Sequence, residues 1–386
     1  MDLVVPDTVY GPRGEVLLIP DLDTFKILPY AEGSAAMIVD QFDDDKPHEV
    51  DPRPRLKENL RNIKFSFKIG FEPEFYIFRK NASGGVEFFD THLCFQTHGI
   101  QVATPLLLEI EKSLDSQGIS IEHYYPEYGP AQHELSLKPY PALQAADNLI
   151  YFRETLRGVL AKYGLFASFM PKPFDNLPGT GLHTHISVWN GEENVLYSEK
   201  DRYKLSEAGY HFIGGILKHM DALLAFTAAS VNSYKRLRPS LWASAFAIWG
   251  PENREAAVRI PKLINGKEKE TLRLELKCVD ATSNPYLAVG SIIAAGLDGI
   301  ERKIEPPDPC LENPAIYSQE EREAKNWRRY PEYLIDAIRN LDKSTLFREF
   351  WGDRLITEYV KLKKYQFEYY YLQVIDWERK TFLNLF

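Results

Sequence analysis

Gly179-Thr-Gly-Leu-His-Thr-His-Ile-Ser-Val-Trp189 is the stretch that decides how this chain is read. Leu182, Thr184, Ile186 and Val188 alternate with His183, His185 and Ser187. A period of two is a strand, so both imidazoles and the hydroxyl face one side. Two glycines precede the strand and suit a turn where backbone approaches a ligand closely. Imidazole ligates divalent metals and titrates near neutral pH. Alone, a His-x-His pair reads more simply as the polar face of an edge strand. Three further segments carry carboxylates at the same kind of spacing, and they tip the balance.

In Gly70-Phe-Glu-Pro-Glu-Phe75, Glu72 and Glu74 share a strand face among Phe71, Phe75, Ile77 and Phe78. Adjacent carboxylates repel unless a cation sits between them. Glu127-Tyr-Gly-Pro-Ala-Gln-His-Glu134 sets two more carboxylates either side of a Gly-Pro turn, and Arg273-Leu-Glu-Leu-Lys277 alternates three charges with leucines. Glu72, Glu74, Glu127, Glu134, His183 and Glu275 together suffice for two hard-cation sites. Oxygen-rich ligation with a single imidazole suits Mg²⁺ or Mn²⁺ over Zn²⁺. Paired ions of this kind imply phosphate chemistry, which also calls for basic residues. The chain supplies Arg236 in Asn232-Ser-Tyr-Lys-Arg236, and Arg254 and Arg259 in Asn253-Arg-Glu-Ala-Ala-Val-Arg259. Taken singly, each arginine reads as a surface ion pair. Neither a phosphate-loop motif nor a dinucleotide fingerprint is present.

The chain has 386 residues, enough for one large domain or two ordinary ones. A net charge of −9 argues against nucleic acid or an anionic membrane as the main partner. Cys94, Cys278 and Cys310 are scattered, without a C-x-x-C, and read as thiols in a reducing compartment. No stretch has the order of a signal peptide, and the apolar run Leu287 to Leu297 is too short to span a bilayer. The expectation is a soluble cytoplasmic protein with no nucleic-acid or membrane partner.

Along the chain, short strands at Glu15 to Ile19 and Ala35 to Val39 predict only a small N-terminal sheet. Asp51-Pro52 opens a helix through about Asn62. Lys68 to Phe78 reads as a strand that Pro73 places near an edge or a bulge. Helices are expected over Thr104 to Ser116, Ala142 to Tyr163, Ser206 to Ser230 (loosened at Gly214-Gly215) and Asn284 to Gly299. Strands are expected within Ile119 to Lys138 and over Leu165 to Met170. Residues 320–386 read as a mostly helical peripheral layer. Strands and helices without a strict βαβ rhythm give an α+β class with an antiparallel-rich sheet.

These motifs, with Asn284-Pro-Tyr-Leu-Ala288 and in this order, resemble the glutamine synthetase family from about Leu17 onward. The resemblance implies a catalytic domain over 47–386 with a curved antiparallel-rich sheet, preceded by a shortened β-grasp segment over 1–46. It implies ATP as co-substrate and two or more Mg²⁺ or Mn²⁺ ions. Glu74, Glu127 and Glu134 would ligate the ion on the acceptor side; Glu72, His183 and Glu275 would ligate the ion on the ATP phosphates. His185 would lie beside the transferred phosphate. Gly179 falls in the glutamate-binding loop, Arg236 would hold a substrate carboxylate, and Arg254 and Arg259 would lie near the phosphates. Ser187 and Arg273 fall at nucleotide-side positions. The implied reaction is nitrogen assimilation in two steps, with a γ-glutamyl phosphate between ATP and the amide. The family's dodecamer of two hexameric rings implies a homo-oligomer.

The sequence departs from the family pattern in four places. Where glutamine-forming members carry a glutamate that binds and deprotonates ammonium, this chain has Trp242 in Pro239-Ser-Leu-Trp-Ala-Ser244. An indole cannot take that proton, although its face attracts cations. A tryptophan there is similar to relatives that join glutamate to larger amines, the γ-glutamyl-polyamine and -monoamine synthetases. Pro178 replaces the asparagine opening the glutamate loop. Lys277 replaces an arginine and loses its bidentate geometry on substrate. The family's Phe-Asp-Gly-Ser-Ser loop has no match. Two further readings compete with the ligase: a non-catalytic assembly protein on the same fold, and a phosphotransferase of the guanidino-kinase type.

Overall fold

The computed structural model describes residues 5, 7–11, 14–92 and 94–385; within the segment 1–46, residues 1–4, 6, 12 and 13 lie outside it. Strand β1 (Leu17–Pro20) pairs antiparallel with β2 (Val39–Asp43), and Lys46–Pro47 completes a three-stranded sheet. Helix α1 (Pro52–Asn62) starts as predicted. The Asp51 carboxylate caps it by accepting from Arg53 N, and proline fills its first turn.

Strand β3 (Ser66–Lys80) is the spine of the molecule. It is followed by helix α2 (Thr97–Asp115), strands β4 (Ile121–Pro126) and β5 (Gln132–Leu137), helix α3 (Ala142–Lys162), and strands β6 (Leu165–Ser168) and β7 (Leu182–Asn190). Helix α4 (Glu207–Thr227) leads to β8 (Phe246–Pro251), β9 (Ala256–Ile260), β10 (Leu274–Leu276) and helix α5 (Pro285–Arg302). Together they build a 12-stranded sheet whose main path runs Arg328–Arg329, β8, β9, β10, β7, β3, β5, β4. Its one parallel pair among these is β8 with β9. The antiparallel-rich α+β class is therefore as read from sequence.

Three local expectations are corrected. Pro73 does not mark an edge, because β3 is central. It pairs with β7 up to Leu182↔Pro73 and with β5 from Glu74↔Glu134 onward, so the proline falls where partners change. Gly214-Gly215 does not loosen α4. A Cβ on Gly215 would lie 2.1 Å from Ala295 O, and one on Gly299 2.1 Å from His211 O, so the glycines let α4 and α5 touch backbone to backbone. The C-terminal helices are not wholly peripheral. In α6 (Leu334–Asp342), α7 (Thr345–Trp351) and α8 (Asp353–Tyr371), Ile338, Phe347, Trp351 and Ile356 are buried. Trp351 Nε1 donates to Ser291 Oγ at 2.9 Å on α5.

Buried Arg53 ties these layers together. Its Nε and Nη2 donate to the Asp147 carboxylate, each at 2.9 Å. Nη1 reaches Asp40 at 2.8 Å and Nη2 reaches Asp21 at 3.0 Å. Tyr286 Oη donates to the same Asp147 at 2.7 Å. One guanidinium thus joins the N-terminal sheet, α1, α3 and α5. No described helix is long and apolar enough to cross a membrane.

Candidate active site

Strand register builds the site. His183 lies directly opposite Glu72, Glu74 opposite Glu134, and Glu275 opposite both His185 and Arg259. Opposed residues share a face and bring their side chains together. Strand β7 is interior, between β3 and β10, so its imidazoles are not an edge strand's solvated face. His183 Nδ1 stands 3.5 Å from Glu72 Oε2 and 3.8 Å from Glu275 Oε1, and its Nε2 stands 3.6 Å from Glu74 Oε1. Ligand atoms of Glu72, His183 and Glu275 all lie within 4.8 Å of one another, as do those of Glu74, Glu134 and His183. Carboxylates with one imidazole fit a hard divalent cation in both groups.

The charges divide the face in two. Burial disfavours ionised Glu72, yet the His185 and His183 imidazoles outweigh it and hold its carboxyl well below the usual range. Burial likewise opposes Glu275, but Lys277, the two histidines and Arg259 bring it to about 2. Arg259 Nη1 donates to Glu275 Oε2 at 2.6 Å. Lys277 Nζ lies 3.4 Å from Glu275 Oε1 and 3.3 Å from His183 Nε2. On the other side the charges of His183 and Arg236 on Glu74, and of Lys277 on Glu127, do not outweigh burial. Burial, then the charges of Glu74 and Glu134, push Glu127 up to about 8. Burial also raises Glu74, whose Oε2 accepts from Gly181 N at 2.8 Å. That half of the face is the one left in want of a positive ion.

A cleft of about 680 Å³ opens over this face. Glu72, Glu74, Glu127, Glu134, His183 and Glu275 all line it, as do Gly179, Arg236, Trp242, Arg254, Arg259 and Lys277. His185, Ser187 and Arg273 do not. Arg273 Nε donates to His185 Nδ1 at 3.2 Å, and His185 Nε2 lies 2.9 Å from Glu72 Oε1, so these residues reach the cleft through Glu72. Ser187 Oγ accepts from Trp189 Nε1 at 2.8 Å. Buried Arg236 spends Nη2 on Val279 O at 2.9 Å, while its Nε and that of Arg259 have no partner. Gln132 Nε2 and Tyr76 Oη fix the loop at 178–179 by donating to Gly179 O at 2.8 Å and Pro178 O at 2.9 Å. A larger cavity of about 790 Å³, between α1 and the start of α8, contains none of the sequence-predicted residues.

The sequence reading missed several cleft residues. His123 on β4 groups with Glu72 and Glu134 within 4.8 Å. It stands on β4 four residues before Glu127, which lies in the turn just past that strand, and that closeness in sequence was the signal available. Tyr128 packs edge-on against Trp242, with ring centroids 5.7 Å apart and planes at 75°. No sequence pattern connects those two.

A family profile described as glutamine synthetase, catalytic domain, matches residues 49–382. The glutamine synthetase of Pyrococcus furiosus is 38% identical over 336 residues, covering 86% of this chain and 75% of the relative. That of Staphylococcus epidermidis is 33% identical over 382 residues, covering 96% of this chain and 85% of the relative. The chain belongs to the glutamine synthetase family. Among solved structures, a GmaS/ADP complex superposes with a TM-score of 0.86 at 29% identity, over 96% of this chain and 85% of that one. A novel glutamine synthase homolog superposes with a TM-score of 0.84 at 26% identity, over 100% of this chain and 88% of that one. Glutamine synthetases are ATP-dependent ligases that use divalent metals, and the carboxylate and imidazole groups of this cleft have the donor chemistry such ions take.

Proposed function

We propose that this protein joins a primary amine, or ammonia, to the γ-carboxylate of glutamate through a γ-glutamyl phosphate. The observation that carries the reading is the meeting of six ligand-type side chains, drawn from β3, β5, β7, β10 and the turn after β4, in one cleft with Arg236, Arg254 and Arg259. Glu72, His183 and Glu275 would hold one ion, and Glu74, Glu127 and Glu134 another; when bound, these ions neutralise charge on the phosphoryl oxygens. Arg236, which lines the cleft beside Gly179, would hold a substrate carboxylate, with Lys277 near it. Arg254 and Arg259 add positive charge where the phosphoryl group moves, and His185 orients Glu72. Ser187 and Arg273 serve the nucleotide side. The γ-phosphoryl passes to a carboxylate oxygen and ADP leaves. The amine nitrogen then bonds to the acyl carbon, phosphate departs, and the nitrogen loses a proton. Residues 1–46 are read as a partial β-grasp and 47–386 as the catalytic domain, in a homo-oligomer.

Trp242 favours a primary amine over ammonia as acceptor. Where a carboxylate would draw in ammonium, an indole stands 49% exposed. Phosphate release from ATP with Mg²⁺ and glutamate, measured against ammonium, methylamine, ethanolamine and putrescine, tests this. Faster release with one of the larger amines supports the amide-ligase reading. Ammonium as the best acceptor means glutamine formation without the usual carboxylate. No release with any amine, in a folded protein, moves the reading to an assembly protein.

A further inference from the structure

Four large apolar side chains are exposed around one side of the cleft. Leu241 and Trp242 are 50% and 49% exposed, Tyr128 is 42% exposed, and Phe95 is 73% exposed. Leu241, Trp242 and Tyr128 line the cleft itself. Phe95 extends them outward, packing edge-on against both Tyr125 and Tyr128 with ring centroids 5.8 and 6.4 Å away. A contiguous exposed apolar surface at a cleft mouth marks something that binds there.

Backbone strain confirms that the indole is held in place. Ser240, Trp242 and Ser244 take φ of 62°, 55° and 66°, a region that side-chain-bearing residues avoid. The buried Glu255 carboxylate keeps the loop so, accepting from Trp242 N at 2.9 Å and Ser240 N at 3.3 Å. Strain of this kind persists only where the surroundings over-determine it.

The charge around the wall sets what it accepts. An aromatic box for a second ammonium needs a free ring face. Here the Arg254 guanidinium already lies over the Trp242 ring, 5.3 Å from its centroid. Among the described residues, the one carboxylate lining the cleft outside the six-residue ligand set is Asp175, whose charge acts on Lys172. A diamine's distal charge laid on the Trp242 ring would meet the Arg254 guanidinium, and its one carboxylate partner there would be Asp175, whose charge Lys172 already shares.

We infer that the acceptor is a primary monoamine with an apolar or aromatic tail, its nitrogen toward the acceptor-side carboxylates and its tail along Trp242, Tyr128 and Phe95. This rests on the ligase reading above. Initial rates of phosphate release with ATP, Mg²⁺ and glutamate test it, using benzylamine, isobutylamine, putrescine and ammonium. The expected kcat/KM for benzylamine or isobutylamine exceeds that for putrescine and ammonium by at least about tenfold, the discrimination an apolar pocket gives. Phe95→Ala and Tyr128→Ala each lower the benzylamine-to-ammonium ratio of kcat/KM by about fivefold or more. Putrescine or ammonium as the best acceptor, or a ratio unmoved by both variants, overturns the tail assignment while the ligase reading stands. No release with any of the four overturns both.

Discussion

Glu127 bears the consequences of a face crowded with carboxylates. Burial and the charges of Glu74 and Glu134 raise its pKa to about 8, so in metal-free protein at neutral pH it holds a proton. A cation that takes this carboxylate must displace that proton. Apparent Mg²⁺ affinity therefore rises with pH until about 8 and then levels, and calorimetry in buffers of different ionisation enthalpy reads the released proton. The sign for stability follows. A carboxyl whose folded pKa is raised favours the fold below its unfolded value and loses that contribution as pH climbs through about 8. The melting temperature of EDTA-treated protein should fall across that window, and saturating Mg²⁺ should remove the slope. Glu134→Ala, by deleting a ligand-type group, should reduce turnover to background; retained activity would place the ions elsewhere. On the ligase reading, Trp242→Glu puts a carboxylate beside the acceptor and should raise ammonium use relative to bulky amines, read as a ratio of kcat/KM. Five of the six ligand-type residues were legible because strand alternation puts them on one face, and Glu127 because it faces Glu134 across a Gly-Pro turn. Phe95 and Tyr128 were not, because they join Trp242 only through packing between loops distant in sequence.

At the scale of elements, β3 and α4 show where local rules mislead. Proline in a strand reads as an edge signal, since it cannot donate to a ladder. In β3 that missing donor falls at the change from β7 to β5, a tertiary circumstance invisible in the string Glu72-Pro73-Glu74. Glycine in a helix reads as loosening, because it gives up propensity. In α4 the absent side chain is what lets α5 approach. Gly215→Ala should therefore destabilise the protein despite alanine's better helix propensity, by about 1–3 kcal/mol or more, as overpacked cores do. Chemical denaturation measures this, and a stabilised variant would mean that α4 and α5 can separate without loss. Helix α1, by contrast, was legible almost to the residue, because its Asp51 cap and Pro52 are local signals.

For the whole molecule, Arg53 decides how the N-terminal sheet is held. Its three carboxylate partners come from three separate parts of the chain. Removing the guanidinium leaves Asp147 and Asp40 buried without a cation, a change that costs about 3–5 kcal/mol in comparable pairs. Arg53→Ala should lower stability by that order and speed proteolysis within residues 14–50. Equal protease resistance would show that other contacts hold the sheet. The α+β class was legible from the mixture of periods. The depth of the C-terminal helices was not, since charged and aromatic residues there suggested a surface while Trp351 and Phe347 reach the core.

The distribution of ligand-type residues along the chain also bears on how the protein is made. Glu72, Glu127 and Glu134 leave the ribosome long before Glu275 and its neighbours Arg259 and Lys277. Until β10 joins β7, the growing sheet carries a row of anions without its own cationic partners. Co-translational pairing of β3 with β5 is therefore opposed by charge until cationic side chains or an ion from solution meet that row.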